Sequence, residues 1–218
     1  MNKLPVFERF LLGWFFFIAC LISARIYFSG SLLFIFLVWN IFLAWIPFAV
    51  SSYLRPADDV KWKHYVLLFV WLAFFPNSLY IITDLIHLDK ETRIPKWFDA
   101  VLIFSAAVAG LMMAFISLYR VERFLLGVMR KQWVNALLLL ILFLGSFGVY
   151  LGRFLRWNSW DIISNPGKLF ASIGKRVLFP MDHPYAWGVT GILTVLFYLL
   201  YFSIKNLPGY VYRAKSEQ

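Results

Sequence analysis

Charged residues are scarce in this 218-residue sequence, at 15% of the chain, whereas 62% of the residues are hydrophobic. A soluble domain averages about 25% charged and about 45–50% apolar residues. A single water-soluble core could not enclose so much apolar surface, so lipid must solvate most of it. The composition therefore excludes a soluble globular protein and indicates a multi-pass membrane protein.

Cysteine is almost absent as well, because Cys20 is alone in the chain. A single thiol excludes an internal disulfide. The sequence also lacks a glycine-rich phosphate loop, a G-x-S-x-G nucleophile elbow and a cysteine with a nearby base. We therefore predict no cofactor, and the sequence leaves open whether the protein is an enzyme.

Acidic residues are few, with 11 Asp and Glu against 21 Lys and Arg, for a net charge of +10. In a soluble protein this excess would suggest nucleic acid as a partner. Here most of the basic residues lie between apolar segments, so the expected partners are anionic membrane lipids and not nucleic acid. The sequence does not specify an oligomeric state.

Six apolar segments each have about the 20 residues that a membrane-spanning helix needs. Because these segments are continuous and do not alternate between polar and apolar residues, they favour helices over a barrel. The predicted fold is all-α, a single integral membrane domain over residues 1–218 with about six transmembrane helices and one short interfacial helix. The predicted spans are approximately 10–28, 32–54, 65–84, 97–119, 133–152 and 186–204.

The orientation follows from the Lys and Arg residues of the connections. Their slight excess on the side of the N-terminus predicts that both termini are cytoplasmic. The connections after the third and fifth spans then lie together on the extracytoplasmic side.

The connection before the last span predicts the interfacial helix. Asn165 suits a helix N-cap, and Pro166 suits the first helical position. The residues on the predicted apolar face are Leu169, Phe170, Ile173, Val177 and Leu178. The residues largely on the opposite face are Lys168, Ser172, Lys175 and Arg176. A short helix of this kind is typical of the boundary between lipid and water.

Polar residues interrupt the third span in the segment FPNSLYIITDLIHL, residues 75–88. Pro76 removes a backbone hydrogen bond and predicts a kink. Thr83 borders a stripe of polar residues on one face of an α-helix. The stripe comprises Asn77, Tyr80, Asp84 and His87. Because an aspartate at the centre of a membrane helix costs about 2.5–3.5 kcal/mol, the stripe should face other helices or a wet cavity.

The end of the fifth span offers the polar stripe a partner. Three glycines there would let another backbone approach closely, and two arginines follow. The residues concerned are Gly145, Gly148, Gly152, Arg153, Arg156, Asn158 and Asp161. We expect Asp84 and Asp161 to share the two arginines, whose remaining donors would face an anionic ligand. A closed Asp–Arg network that only fixes helix register is the alternative.

A metal site has weaker support. His87, Asp182 and His183 would lie on the same side of the membrane and could join Asp84 and Asp161. However, no two of His87, Asp182 and His183 have the close spacing of an H-E-x-x-H or C-x-x-C motif. We therefore predict no metal, with these three residues as the candidates if one binds.

Two segments resemble a known family. The third-span pattern P-N-x-x-Y-x-x-T-D-x-x-H-L, which begins here at Pro76 and ends at Leu88, resembles the motif of the domain of unknown function 1361 family. RFLRWNSWD, residues 153–161, resembles the second signature of that family. The resemblance covers most of the chain and implies a small multi-pass protein of the bacterial cytoplasmic membrane. It implies no substrate, because the family has no assigned activity.

The functional expectation is a protein that binds an anionic lipid or envelope-precursor group near the extracytoplasmic face. The alternatives are an enzyme with Asp84 or His87 as acid or base, a small transporter with Asn77 lining the path, and a structural or assembly protein. The candidate binding residues are Asn77, Tyr80, Thr83, Asp84, His87, Arg153, Arg156, Asn158 and Asp161.

Overall fold

The computed structural model describes residues 6–54, 60–89 and 94–216, and these residues form helices without strands. The all-α prediction is confirmed. The α-helices are α1 (Val6–Ser29), α2 (Phe36–Ser51), α3 (Trp62–Tyr80), α4 (Lys96–Leu126), α5 (Lys131–Leu155), α6 (Asp161–Ser164), α7 (Pro166–Leu178) and α8 (Pro184–Ser216). Two 3₁₀-helices cover Ile81–Asp89 and Pro180–Asp182.

Five helical segments of the described residues are long and apolar enough to cross a membrane. They are Phe7–Ser29, Trp62–Leu88, Lys96–Leu126, Lys131–Leu155 and Pro184–Pro208. The remaining predicted span forms α2, which has only 16 residues and is about 24 Å long. Single turns extend α2 at both ends, where Ile35 N–H donates to Leu32 and Leu54 N–H donates to Ser51. Hydrogen-bonded backbone therefore covers the predicted limits of the second span.

The described residues divide into two compact units, one up to Arg123 and one from Phe124 onward.

In the first unit, neighbouring helices run in opposite directions. Arg25, near the end of α1, contacts Asp99 in the first turn of α4. On the other helix pair, the hydroxyl of Ser78 in α3 donates to the carbonyl of Ala44 in α2. Asn40 precedes Ala44 but contacts a residue that follows Ser78, which shows that α2 and the third span are antiparallel.

Although α2 is short, the helix and its flanking turns reach both ends of the first unit. The Phe34 ring, just before α2, lies 4.3 Å from the guanidinium carbon of Arg25. The Phe48 ring, near the end of α2, lies 4.5 Å from the guanidinium carbon of Arg120. Because Arg25 and Arg120 mark opposite ends of the unit, the short helix and its flanking turns connect them.

Small residues of α4 are buried in the core of the first unit and allow close packing there. Ala106, Ala109 and Ala114 have no exposed surface. A Cβ atom built on Gly110 would lie 3.1 Å from the carbonyl oxygen of Ser78 and 2.9 Å from Cδ1 of Ile81. The small-residue face of α4 is therefore a packing surface, on which the end of the third span lies.

The second unit is built on an antiparallel pair, α5 and α8, whose contact is aromatic. The Phe147 and Trp187 rings are stacked, with centroids 5.4 Å apart and an interplanar angle of 6°. About two turns further along α5, Phe154 meets Tyr185 edge to face at 5.1 Å. Since Tyr185 and Trp187 begin α8, the C-terminal end of α5 and the N-terminal end of α8 lie together.

The predicted short helix is present as α7, with Pro166 in its first turn. Asn165 precedes the helix but forms no side-chain hydrogen bond to its backbone, so the predicted cap is wrong. The Asn165 amide lies instead 3.4 Å from the hydroxyl of Ser164. The entry of α7 therefore depends on Pro166, whose fixed φ suits a first helical position.

Candidate functional site

The third-span segment changes helix type soon after Pro76. The α-helix ends at Tyr80 and continues as the 3₁₀-helix Ile81–Asp89. A 3₁₀-helix has about three residues per turn, so Asp84 and His87 share a face with Ile81. The predicted stripe assumed an α-helix throughout; the tighter winding turns Asp84 away from the face of Tyr80.

Asp84 is buried, with 1% of its surface exposed. Its carboxylate accepts a hydrogen bond of 2.8 Å from the amide of Asn40 in α2. Asn40 was not among the predicted site residues, although a lone asparagine within a predicted apolar span could have indicated it.

The other polar side chains of this segment bond to nearby backbone. The Thr83 hydroxyl donates to the carbonyl of Tyr80 at 2.6 Å, and the Asn77 amide donates to the carbonyl of Phe74 at 3.1 Å. The Phe74 carbonyl lies in the helix turn that Pro76 disturbs. His87 contributes a ring contact, edge to face with Phe36 of α2 at 5.2 Å. The contacts of Asp84 and His87 both fasten this segment to α2.

A buried ion pair lies in the same unit. Arg25 Nε donates to Asp99 Oδ1 at 2.7 Å and Arg25 Nη2 donates to Oδ2 at 3.3 Å. Only 2% of the Arg25 side chain and 6% of the Asp99 side chain are exposed. Among the described residues, no hydrogen-bond partner reaches Arg25 Nη1. Arg25 lies inside the predicted first span, where an arginine requires a partner.

The second motif begins with an unusual backbone conformation. Arg156 follows the last residue of α5 with φ 59° and ψ 30°, and it is the non-glycine residue with positive φ in the described part of the chain. The N–H of Trp157 closes the helix end by donating to the carbonyl of Leu151 at 3.2 Å. Glycine usually occupies such a position, and the left-handed region costs another residue about 1–2 kcal/mol.

The guanidinium of Arg156 is exposed. None of the hydrogen bonds, ion pairs or ring contacts that the described residues form involves it. Its five donors are therefore accessible at the end of α5.

Asp161 is bound within its own turn. Its carboxylate accepts hydrogen bonds from the backbone N–H of Asn158 at 2.7 Å and from the Ser164 hydroxyl at 3.1 Å. The bond from the Asn158 backbone lowers the pKa of the Asp161 carboxyl below its ordinary value of 3.8, and that from Ser164 adds to the effect. Within the described residues of the second unit, Asp161 forms no ion pair with Arg153 or Arg156. The predicted sharing of these arginines by Asp161 is therefore wrong, because the local turn already uses its oxygens.

One side of α7 is docked onto the end of α5. The indole N–H of Trp157 donates to the Ser172 hydroxyl at 3.2 Å. Arg176 donates to the Ser172 carbonyl at 2.7 Å and, through Nε, to the Tyr150 hydroxyl at 3.4 Å. Leu169, one turn earlier on the same side, is buried. Ser172 and Arg176 were predicted to lie largely opposite the apolar face, but in the structure they lie on the side of α7 that contacts the protein.

The apolar residues of α7 consequently fall on two sides. Leu169 and Ile173 pack against the protein, whereas Phe170, Val177 and Leu178 are exposed, the last by 73%. Lys168 and Lys175 are exposed on a third side. The helix thus presents an apolar strip beside a basic strip while a third strip holds it in place.

Groups of three or more His, Cys, Asp or Glu residues that could hold a metal ion do not occur among the described residues. Asp182 is exposed in the second 3₁₀-helix, and His183 is half-buried beside it.

One family model matches a region of the chain that contains both motifs, residues 76–88 and 153–161. The model of the family described as Protein of unknown function (DUF1361) matches residues 39–200. The chain belongs to this family. The match agrees with the resemblance carried by residues 76–88 and 153–161 and covers Asn40, Asp84, Asp99 and Arg156 of this DUF1361 protein, whereas Arg25 lies before it. No curated protein and no solved structure matches the chain.

Proposed function

We propose that this DUF1361 protein binds the anionic group of a membrane lipid, a phospholipid or a lipid-linked phosphate, at the α5–α7 end of its second unit. The observation that carries the proposal is the three-sided α7. One side is fixed to α5 through Ser172 and Arg176, and an apolar strip with Phe170, Val177 and Leu178 is left exposed. An exposed apolar strip on an amphipathic helix is typical of insertion at the acyl–headgroup boundary.

The charges beside the apolar strip suit an anionic headgroup. Lys168 and Lys175 are exposed on α7, and the unengaged guanidinium of Arg156 lies at the adjoining end of α5. A guanidinium binds phosphate through two parallel hydrogen bonds, whereas lysines act as point charges. Each basic residue near an anionic membrane surface contributes about 1 kcal/mol of attraction. In the predicted orientation this end faces the extracytoplasmic side.

The contacts of the third-span motif, residues 76–88, favour a structural role over the enzyme and transporter alternatives. Asp84 is almost fully buried and bonded to Asn40, which favours a positioning role over acid–base catalysis. We propose that Asp84 and His87 hold the end of the third span against α2. The Asn77 and Thr83 bonds to neighbouring carbonyls favour the same role over lining a transport path.

Native mass spectrometry of protein exchanged into equimolar phosphatidylglycerol and phosphatidylcholine tests the proposal. The wild type is expected to retain phosphatidylglycerol in excess. Replacing both exposed lysines, Lys168→Gln with Lys175→Gln, should reduce that excess. The matched control is Arg130→Gln with Lys131→Gln, an exposed pair at the opposite end of α5, which should leave it unchanged. No excess in the wild type, or equal loss in both double variants, would contradict the proposal.

A further inference from the structure

A cavity at the other end of the first unit contains charges of both signs. Its volume is about 430 Å³, and it lies between the first turns of α1, the end of α2 and one residue of α4. Leu12, Phe15 and Trp45 give it apolar walls. Glu8 and Arg120 line it as well.

Arg120 is held in place from one side. Its Nη1 donates to the Phe48 carbonyl at 3.0 Å and to the Ser51 hydroxyl at 3.4 Å. The guanidinium carbon lies 4.5 Å from the centre of the Phe48 ring. Nε and Nη2 have no hydrogen-bond partner in the described part of the chain. The side chain is thus oriented, while donors remain for another group.

Glu8 does not neutralise this arginine by direct contact. Among the described residues, Glu8 and Arg120 form no salt bridge with nitrogen and oxygen within 4.0 Å. Glu8 and Arg120 therefore face one cavity with space between their charges. A ligand that carries an anion and a cation close together would satisfy both groups.

A second cavity provides a comparison of equal size. It also has a volume of about 430 Å³, and its lining residues are all apolar: Met129, Trp133, Ala136, Leu137 and Leu140. Apolar space of this volume is therefore not specific to the first cavity. The pair of opposite charges is what distinguishes it.

We infer that the Glu8–Arg120 cavity binds a zwitterionic phospholipid with a primary ammonium group, as in phosphatidylethanolamine. The phosphate accepts hydrogen bonds from Arg120, the ammonium donates to Glu8, and an acyl chain lies along Leu12, Phe15 and Trp45. A purely anionic headgroup would be repelled by Glu8. A quaternary ammonium has no N–H group to donate to the carboxylate. The expected ligand thus differs from the anionic lipid proposed for the second unit.

The test is native mass spectrometry of the full chain exchanged into equimolar dioleoyl phosphatidylethanolamine, phosphatidylcholine and phosphatidylglycerol. Glu8→Gln removes the negative charge that pairs with the ammonium and should lower phosphatidylethanolamine retention about threefold, the scale for one partly exposed ion pair. Ala49→Leu keeps both charges but fills the cavity and should also reduce retention. Ala136→Leu makes the same change in the uncharged cavity and should have no effect.

The outcomes separate this inference from the proposal for the second unit. Loss of phosphatidylethanolamine in Glu8→Gln and Ala49→Leu, with phosphatidylglycerol retention unchanged, would support the cavity site. Equal retention of phosphatidylethanolamine by the wild type, Glu8→Gln and Ala49→Leu would overturn it, as would loss in Ala136→Leu of the same size. The lysine double variant of α7 should leave phosphatidylethanolamine retention as in the wild type.

Discussion

The amide of Asn40 donates a hydrogen bond of 2.8 Å to the buried carboxylate of Asp84, and this bond joins α2 to the end of the third span. Asn40→Ala removes a donor from a carboxylate that has lost its contact with water. We expect the free energy of unfolding to fall by about 1–3 kcal/mol, measured by denaturant titration in detergent.

The control for Asn40→Ala is Asn135→Ala, which removes an exposed amide from α5. Exposed substitutions of this kind usually change stability by less than about 0.5 kcal/mol. Equal stability of the two variants would show that the bond to Asp84 contributes nothing.

The Arg25–Asp99 pair predicts coupled effects. Arg25→Ala and Asp99→Ala each break this buried ion pair by removing one of its members, so each should destabilise the protein by about 3–5 kcal/mol. The double variant removes both charges and should lose clearly less than the sum of the two single losses. Arg123→Ala, at an exposed position of α4, serves as the control for loss of an arginine. Simple additivity of the two losses would contradict the coupling.

Replacing glycine by alanine should have opposite effects on stability at Gly110 and at Gly188. Gly110→Ala places a methyl group against Ile81 and the Ser78 carbonyl, and overpacking of this kind costs about 1–3 kcal/mol. Gly188→Ala in α8 meets no atom within 4 Å and should gain about 0.5–1 kcal/mol from helix propensity. Adding Ile81→Val to Gly110→Ala removes the closest atom, Cδ1, and should recover part of the loss. Thermal unfolding measures all three, and a stabilised Gly110→Ala would refute the close approach.

The turn held by the Asp161 carboxylate should be lost at acidic pH. Its pKa is lowered in the folded protein, mainly by the Asn158 backbone N–H, so the carboxylate stabilises the turn above the ordinary value of 3.8. That stabilisation is lost as the pH falls below 3.8 and through the lowered pKa. Hydrogen exchange at the Asn158 amide should therefore become faster, beyond its intrinsic pH dependence, on acidification in the wild type. In Asp161→Asn this extra change should be absent, and an identical pH profile in both proteins would contradict the assignment.

Continuous apolar runs predicted the helices well, because a segment in lipid must satisfy its backbone internally. The span limits of 133–152 and 186–204 fall inside α5 and α8. The short α7 was also predicted, since Pro166 and a period of about 3.6 residues mark it. Its orientation was not, because hydrogen bonds to Ser172 and Arg176 depend on tertiary contacts.

The candidate site was less predictable from the sequence. Spacing along an assumed α-helix missed the 3₁₀-helix after Tyr80, whose winding moves Asp84 to another face. Charge complementarity within the second motif suggested arginine partners for Asp161, but the Asn158–Ser164 turn satisfies that carboxylate first. Asn40 and Arg25 lie far in sequence from their partners, and no local pattern connects them. The expected contact between the two motifs, residues 76–88 and residues 153–161, stays a prediction.

The central claim is that the α5–α7 end of the second unit binds the anionic group of a lipid, with the Arg156 guanidinium beside the two lysines of α7. Arg156→Gly tests it most directly, since glycine accepts the left-handed conformation of this residue while the guanidinium is removed. Phosphatidylglycerol retained over phosphatidylcholine, counted by native mass spectrometry, should fall about threefold in Arg156→Gly. Arg156→Lys should recover part of the loss, and the melting temperature of Arg156→Gly should equal or exceed that of the wild type. Wild-type phosphatidylglycerol retention by a folded Arg156→Gly protein would contradict the claim.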